Sequence, residues 1–98
     1  MLESTYQNAL IRKIRDLYPG CVVLKNDPAY IQGIPDLTVF NQDRWATLEV
    51  KTSARAKTQP NQEYYVDLMN DMSFSSFIYP GNEDEVFDGL QYALTHRR

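Results

Sequence analysis

Pro35-Asp36-Leu37-Thr38-Val39-Phe40 and Trp45-Ala46-Thr47-Leu48-Glu49-Val50-Lys51, joined by Asn41-Gln42-Asp43-Arg44, read as the two strands of a hairpin. With a four-residue loop, Phe40 faces Trp45 and paired positions sum to 85. Val39 then faces Ala46, Thr38 faces Thr47, Leu37 faces Leu48, and Asp36 faces Glu49. Side chains alternate between the faces of a strand. One face therefore carries Leu37, Val39, Ala46, Leu48 and Val50, a core face. The other carries Asp36, Thr38, Phe40, Trp45, Thr47, Glu49 and Lys51. A one-residue slip in either strand would mix the two sets, so the apolar partition fixes the register.

This register crowds two carboxylates and an ammonium at one end of one face. Two acids directly opposite each other destabilise a sheet. Lys51 is one compensating partner, and a divalent cation is another, since carboxylates, a backbone carbonyl and waters form the oxygen shell that Mg²⁺ prefers. A surface salt-bridge cluster is the plain alternative.

Outward from the hairpin, residues 2–17 read as a helix with Leu2, Tyr6, Ala9, Leu10, Ile14 and Leu17 on one stripe, ended by Pro19-Gly20. Cys21 to Lys25 reads as a strand, and Asn26 to Pro35 as a loop. Thr52 to Thr58 is a polar basic loop, and Gln59 to Met72 reads as a second helix with Pro60 in its first turn. Phe74 to Tyr79 is a fourth strand, and Asn82, with Glu85 as its capping-box partner, starts a last helix. The element order is α-β-β-β-α-β-α, which predicts an α/β fold with a mixed sheet flanked by helices.

Two further polar side chains fall where apolar ones belong. At about 100° per residue, Glu3 lies between Leu10 and Ile14 on the first helix's apolar stripe. It either points toward the sheet and needs a partner, or frays into water. Gln62 shares the side of the second helix that carries Tyr65, Val66 and Met69. It is placed to bond Lys51, a water or the strand backbone.

The chain has 98 residues, enough for one domain spanning 1–98. Its one cysteine, Cys21, excludes an internal disulfide framework and fits a reducing compartment. No apolar run approaches the roughly 20 residues of a membrane span, and the first residues lack a signal peptide's basic and apolar parts. A cytoplasmic location without membrane contact is the expectation. His96 is the only histidine, so a histidine-based zinc centre or a Ser-His-Asp hydrolase is not expected. No G-x-x-x-x-G-K phosphate loop occurs, so no nucleotide cofactor is expected.

A net charge of −3 argues against a polyanion partner, but the charge is uneven. Residues 1–57 carry a net +2 and residues 58–98 a net −5, which hints at such a partner for the first part. Thr52, Ser53, Arg55, Lys57 and Thr58, just past the second hairpin strand, are placed to hold phosphates, or else form a solvated loop. Lys25 on the neighbouring strand faces the same cleft or guards a sheet edge. Arg12, Lys13 and Arg15 read as a solvated helix face, and Arg97-Arg98 as a tail. Tyr30 and Trp45 are candidates for base stacking or an interface, with plain packing the expectation.

Together these residues resemble the PD-(D/E)xK nuclease superfamily. Pro35-Asp36 is followed thirteen residues on by Glu49-Val50-Lys51, on adjacent strands. Gly33-Ile34-Pro35-Asp36-Leu37, Leu48-Glu49-Val50-Lys51 and Gln62 after a basic loop resemble the VRR-NUC branch, and also the phage endonuclease-I type and archaeal Holliday junction resolvases. The resemblance covers nearly the whole chain. It implies a restriction-endonuclease-like αβββαβ core with a central mixed four-stranded sheet, and Mg²⁺-dependent hydrolysis of DNA phosphodiester bonds, with Mn²⁺ as substitute. Asp36, Glu49 and the Val50 carbonyl would hold the metal, Glu3 a second metal or its waters. Lys51 would orient water or stabilise phosphate charge, and Gln62 would position Lys51. Branched DNA such as a four-way junction is the implied substrate, in a bacterial or phage-infected cytosol, and paired cuts by so short a chain imply a homodimer. A non-catalytic DNA- or protein-binding module, or a nuclease of linear ends or RNA, are the other readings.

Overall fold

In the computed structural model, which describes residues 1–96, the elements follow the expected order. Arg97 and Arg98, read above as a tail, lie outside the described residues. Helix α1 (Glu3–Leu17) leads to β1 (Val22–Lys25), β2 (Leu37–Asn41) and β3 (Arg44–Val50). Helix α2 (Gln62–Met72), β4 (Phe74–Ile78), a short 3₁₀ turn (Pro80–Asn82) and α3 (Glu83–Thr95) complete the chain. The sheet order is β1-β2-β3-β4. The first two pairings are antiparallel and β3 pairs with β4 in parallel, with α2 as the crossover that a parallel pair requires. The result is an α/β domain with a mixed four-stranded sheet and three α-helices.

The hairpin register is the expected one: Leu37 faces Leu48, Thr38 faces Thr47, Val39 faces Ala46, and Phe40 faces Trp45. The loop is tighter than expected, because Asn41 and Arg44 also pair. Only Gln42 and Asp43 remain to turn the chain, and Gln42 takes the left-handed conformation (φ 57°) that a two-residue turn demands.

Leu37, Val39, Ala46, Leu48 and Val50 are fully buried against Leu10 and Ile14 of α1 and Leu90 and Leu94 of α3. Burying an aliphatic side chain of this size is worth about 1.5–3 kcal/mol, so this layer dominates the fold's stability. The buried stripe of α1 is Tyr6, Leu10, Ile11 and Ile14. The expected Leu2, Ala9 and Leu17 stay exposed, since α1 crosses the sheet only along its middle turns. Tyr6 donates its hydroxyl to Glu83 (2.7 Å) and Lys13 pairs with the same carboxylate (3.3 Å), tying α1 to the start of α3.

The opposite face is covered only in part. Helix α2 lies over β3 and β4. There it buries Thr47, whose hydroxyl donates to Ser75 (2.7 Å), and Glu49. Val22, Leu24 and Phe40, on the same face of β1 and β2, are 53%, 47% and 41% exposed.

Two helix starts differ from the expectation. Helix α2 begins at Gln62 rather than Gln59, because Asn61 sits in the left-handed region (φ 70°) and interrupts any helix running from Pro60. Asn82 holds the N-cap position of α3, as expected, but its side chain makes no capping bond there. Its Oδ1 accepts from the Tyr79 N–H (2.9 Å) and its Nδ2 donates to the Phe77 carbonyl (3.0 Å), so it closes the 3₁₀ turn instead. Among the described residues, no helix is long and apolar enough to cross a membrane.

Candidate metal centre

Where β2 begins and β3 ends, three elements deliver carboxylates to one point. Asp36 immediately precedes β2, Glu49 is the penultimate residue of β3, and Glu3 opens α1. One oxygen from each lies within 4.8 Å of the others. Glu3 therefore points toward the sheet end, and its acid also suits the positive start of α1.

Asp36 is held by the backbone of the facing strand: the Val50 N–H donates to its Oδ2 (2.9 Å). Thus Asp36 and Glu49 do not simply oppose each other across the ladder, because one Asp36 oxygen is bonded to the strand that carries Glu49. Glu49 is only 1% exposed. Its Oε2 accepts from Gln62 Nε2 (3.1 Å) and lies 3.9 Å from Lys51 Nζ. Its Oε1 is buried with no hydrogen-bond partner among the described residues. A buried carboxylate oxygen without a donor is expensive.

That cost is visible in its acidity. Burial first, then the negative charge of Asp36, push the Glu49 carboxyl up to about 9, with Lys51 opposing them and Glu3 adding slightly. A protonated Glu49 has a neighbour to share its proton with in Asp36, whereas an ionised Glu49 leaves Oε1 bare. Two states satisfy the cluster: one proton retained between the acids, or a cation against the bare oxygen.

Lys51 follows β3 and is 8% exposed. Its Nζ donates to Gln62 Oε1 (2.7 Å) and to the Lys57 carbonyl (3.2 Å). Gln62 also accepts from the Gln59 N–H at Oε1 (2.8 Å). Its amide thus spans Lys51, Glu49 and the loop ahead of α2.

An open cleft of about 580 Å³ contains all five of these side chains. One wall is the loop with Pro28, Ala29 and Gln32; the other is the loop with Ala56, Lys57 and Gln59. The walls touch at one point. Gly33 (φ +89°) packs so tightly on the second loop that a Cβ there would sit 2.6 Å from the Asn61 backbone carbon. Only glycine combines that conformation with that approach.

Among the residues expected to bind phosphates, Lys57 lines the cleft, while Thr58 lines a neighbouring hollow with Tyr64. Ser53 and Arg55 are exposed on the same loop and Thr52 is half-buried. Lys25 departs from the expectation. It pairs with core-facing Leu37, so its side chain emerges on the α1 side, and its Nζ donates to Asn8 Oδ1 (2.9 Å). The wall formed by Pro28, Ala29 and Gln32 carried no chemical signal in the sequence; only the proline and glycine flanking it marked a fixed loop. Tyr30 does not pack, being 86% exposed.

No protein-family model, no curated protein and no solved structure matches this chain. Its function is therefore read from the site itself.

Proposed function

We propose that this chain is a metal-dependent endodeoxyribonuclease of the PD-(D/E)xK type, VRR-NUC-like, with a restriction-endonuclease-like core. The observation that carries this reading is a buried Glu49 with one unpartnered oxygen, Oε1, in a cluster where one oxygen each of Glu49, Asp36 and Glu3 lies within 4.8 Å of the others, with Lys51 alongside. The element order and the spacing of Asp36, Glu49 and Lys51 support it further. A fold does not need an orphan carboxylate oxygen beside two other acids, and a non-catalytic binding module gains nothing from one.

Asp36, Glu49 and the Val50 carbonyl would hold Mg²⁺ or Mn²⁺, with Glu3 reaching it directly or through water. All are hard oxygen donors, which suits that class of ion. Such a cation, when bound, polarises a phosphate and makes a water acidic enough to attack it.

The chain's own groups prepare the rest. The Val50 N–H fixes Asp36 Oδ2 and leaves Oδ1 free to meet a cation. Gln62 Nε2 fixes Glu49 Oε2 and leaves Oε1 without a partner among the described residues. Lys51 has three N–H donors and spends two, on Gln62 and the Lys57 carbonyl. The third is available to a phosphate oxygen or an attacking water, where it stabilises charge that develops during hydrolysis. Lys57 and the exposed Arg55 supply contacts to flanking phosphates, which position rather than specify.

Branched DNA is the substrate proposed, and two coordinated cuts require two sites, so a homodimer belongs to the same reading. The test is cleavage of labelled four-way junction, flap, duplex, single-stranded DNA and RNA with Mg²⁺. Junction cleavage should vanish with chelator and fall at least about 10³-fold in Asp36→Ala and Lys51→Ala, a size typical of losing a main charge-stabilising group. Mg²⁺-dependent cleavage retained in Asp36→Ala overturns the assignment. Preference for RNA or linear ends redirects the substrate, and light scattering decides the dimer.

A further inference from the structure

Beside the metal cleft lies a second hollow, of about 510 Å³, whose lining differs from the cleft's. Ile34 lines both, so the two hollows are neighbours. Its walls are apolar: Ile31 and Ile34 from the loop before β2, and Met69 from α2. Tyr30 stands at its rim, almost wholly exposed. An aromatic ring held in water at the mouth of an apolar slot has no part in the core.

The polar atoms at the slot are mostly acceptors. Asn26 spends both amide hydrogens, on the Pro35 carbonyl (2.9 Å) and on Thr38 Oγ1 (2.8 Å), which leaves its Oδ1 as an acceptor. Asp27 uses Oδ1 to accept from the Ala29 N–H (2.8 Å), which leaves Oδ2. Thr38 keeps one hydroxyl hydrogen. A negative Asp27 next to a groove for polyanions would repel a phosphate, yet it suits the hydrogen-bond donors on the edge of a base.

Resting on the nuclease reading, we infer that this slot takes one unpaired nucleobase bearing an exocyclic amino group. The substrate class is then DNA with an unpaired nucleotide next to the bond that is cut. Flat apolar walls, a thioether and an exposed tyrosine stack on a base of any identity. Asn26 and Asp27 accept from the amino group of cytosine, adenine or guanine, which thymine lacks. A paired base cannot enter, because its edge is occupied and it is held in the stack; an unpaired one costs least to extrude. Because Ile34 lines both hollows, the sugar–phosphate of that nucleotide would lie beside the cleft that holds Asp36 and Glu49.

Two measurements test this. In the first, wild-type protein with labelled isoleucine and methionine methyl groups is titrated with dCMP, dGMP, dAMP and TMP, and separately with an arginine amide. The methyl signals of Ile31, Ile34 and Met69 should shift with the three amino-bearing nucleotides and much less with TMP. Tyr30→Ala should weaken the shifts and Tyr30→Phe should retain them. Asp27→Asn, which can keep the Ala29 bond, should erase the difference between dCMP and TMP. Absence of shifts with every nucleotide overturns the proposal, as does a response to the arginine amide alone, which marks a peptide guest.

In the second, Mg²⁺-dependent cleavage is compared on duplexes with one unpaired cytosine, one unpaired thymine or full pairing. Wild type should favour the unpaired cytosine over full pairing by roughly tenfold, the scale of one stacked base; Tyr30→Ala should bring that ratio near one, and Asp27→Asn should bring unpaired thymine level with unpaired cytosine. Equal rates on all three overturn the proposal. If no DNA is cut at all, the nuclease reading fails, and the methyl shifts still decide what the slot binds.

Discussion

The two halves of the sheet carry the same alternation and meet different fates. Thr38 and Thr47 face each other, as do Phe40 and Trp45, on the side away from α1 and α3. In the β3–β4 half, α2 covers that side, and a threonine and a glutamate are each only 1% exposed. In the β1–β2 half the cover is incomplete, and a valine, a leucine and a phenylalanine stand about half exposed. Polarity and burial are inverted between the halves, against the usual preference of charged groups for water. The inversion shows that the placement of α2, not the character of the side chains, decides which part of this face is interior. A helix that buries a glutamate must meet its polar needs, and Gln62 at the head of α2 does so in part. The need left over, at Glu49 Oε1, is where chemistry is expected.

The largest expected effect separates core from open face. Leu48→Ala, in the doubly covered half, should lose about 3–5 kcal/mol of stability in urea denaturation. Leu24→Ala, on the open face, should lose no more than about 0.5 kcal/mol. Equal losses would mean that something covers β1 and β2 in solution.

Next comes the buried acid. Folded Glu49 keeps its proton up to about 9, whereas the unfolded chain releases it near the ordinary 4.5. Between those values the folded state binds more protons, so cation-free stability falls as pH rises. Glu49→Gln removes that dependence and should be the more stable protein at pH 8, by on the order of 3 kcal/mol. Thermal melts from pH 5 to 8.5 read this out, with the two curves converging at the acid end. Millimolar Mg²⁺ should raise the wild-type melting temperature at pH 8 and leave Glu49→Gln nearly unmoved, because a cation that binds only the folded form stabilises it by mass action. Parallel melting curves without metal would place Glu49 in a wetter site than its burial implies.

The smallest effect concerns the polar layer under α2. Thr47→Val breaks the 2.7 Å bond to Ser75 and leaves a buried hydroxyl short of a partner, for a loss of about 1–2 kcal/mol. The reverse exchange on the open half, Val22→Thr, should stay within about 0.5 kcal/mol, measured by the same denaturation.

Much of this was legible in the chain before any coordinates. The apolar partition of Leu37, Val39, Ala46, Leu48 and Val50 supports one register, and that register brings Asp36 and Glu49 to the same end of the sheet. Glu3 and Gln62 stood out because each occupies an apolar helical position. Their meeting with Lys51 follows once the helices fold onto the sheet. What stayed hidden depends on distant parts of the chain touching. No local pattern says that α2 stops short of β1 and β2, so the burial of Thr47 and the exposure of Phe40 could not be separated. Helix α2 was placed three residues early because Pro60 signals a first turn, while the left-handed Asn61 is imposed by the loop packed on it. Of the two readings of Lys25, the cleft fails because pairing with Leu37 turns it to the other face, while its place on the edge strand β1 fits a lysine guarding a sheet edge.

The seating of Gly33 on Asn61 has a consequence for how such a protein can change. The loop that bears the Tyr30 slot and the loop that delivers Lys57 and Gln62 share one interlocking surface, with no room for even a methyl group between them. Neither can be lengthened, shortened or exchanged alone without lifting the other off the metal cleft. In a chimaera, or along a lineage, residues 28–34 and 57–62 would have to be inherited together, so that the wall that bears Tyr30 and the loop that leads to Gln62 vary as a single cassette.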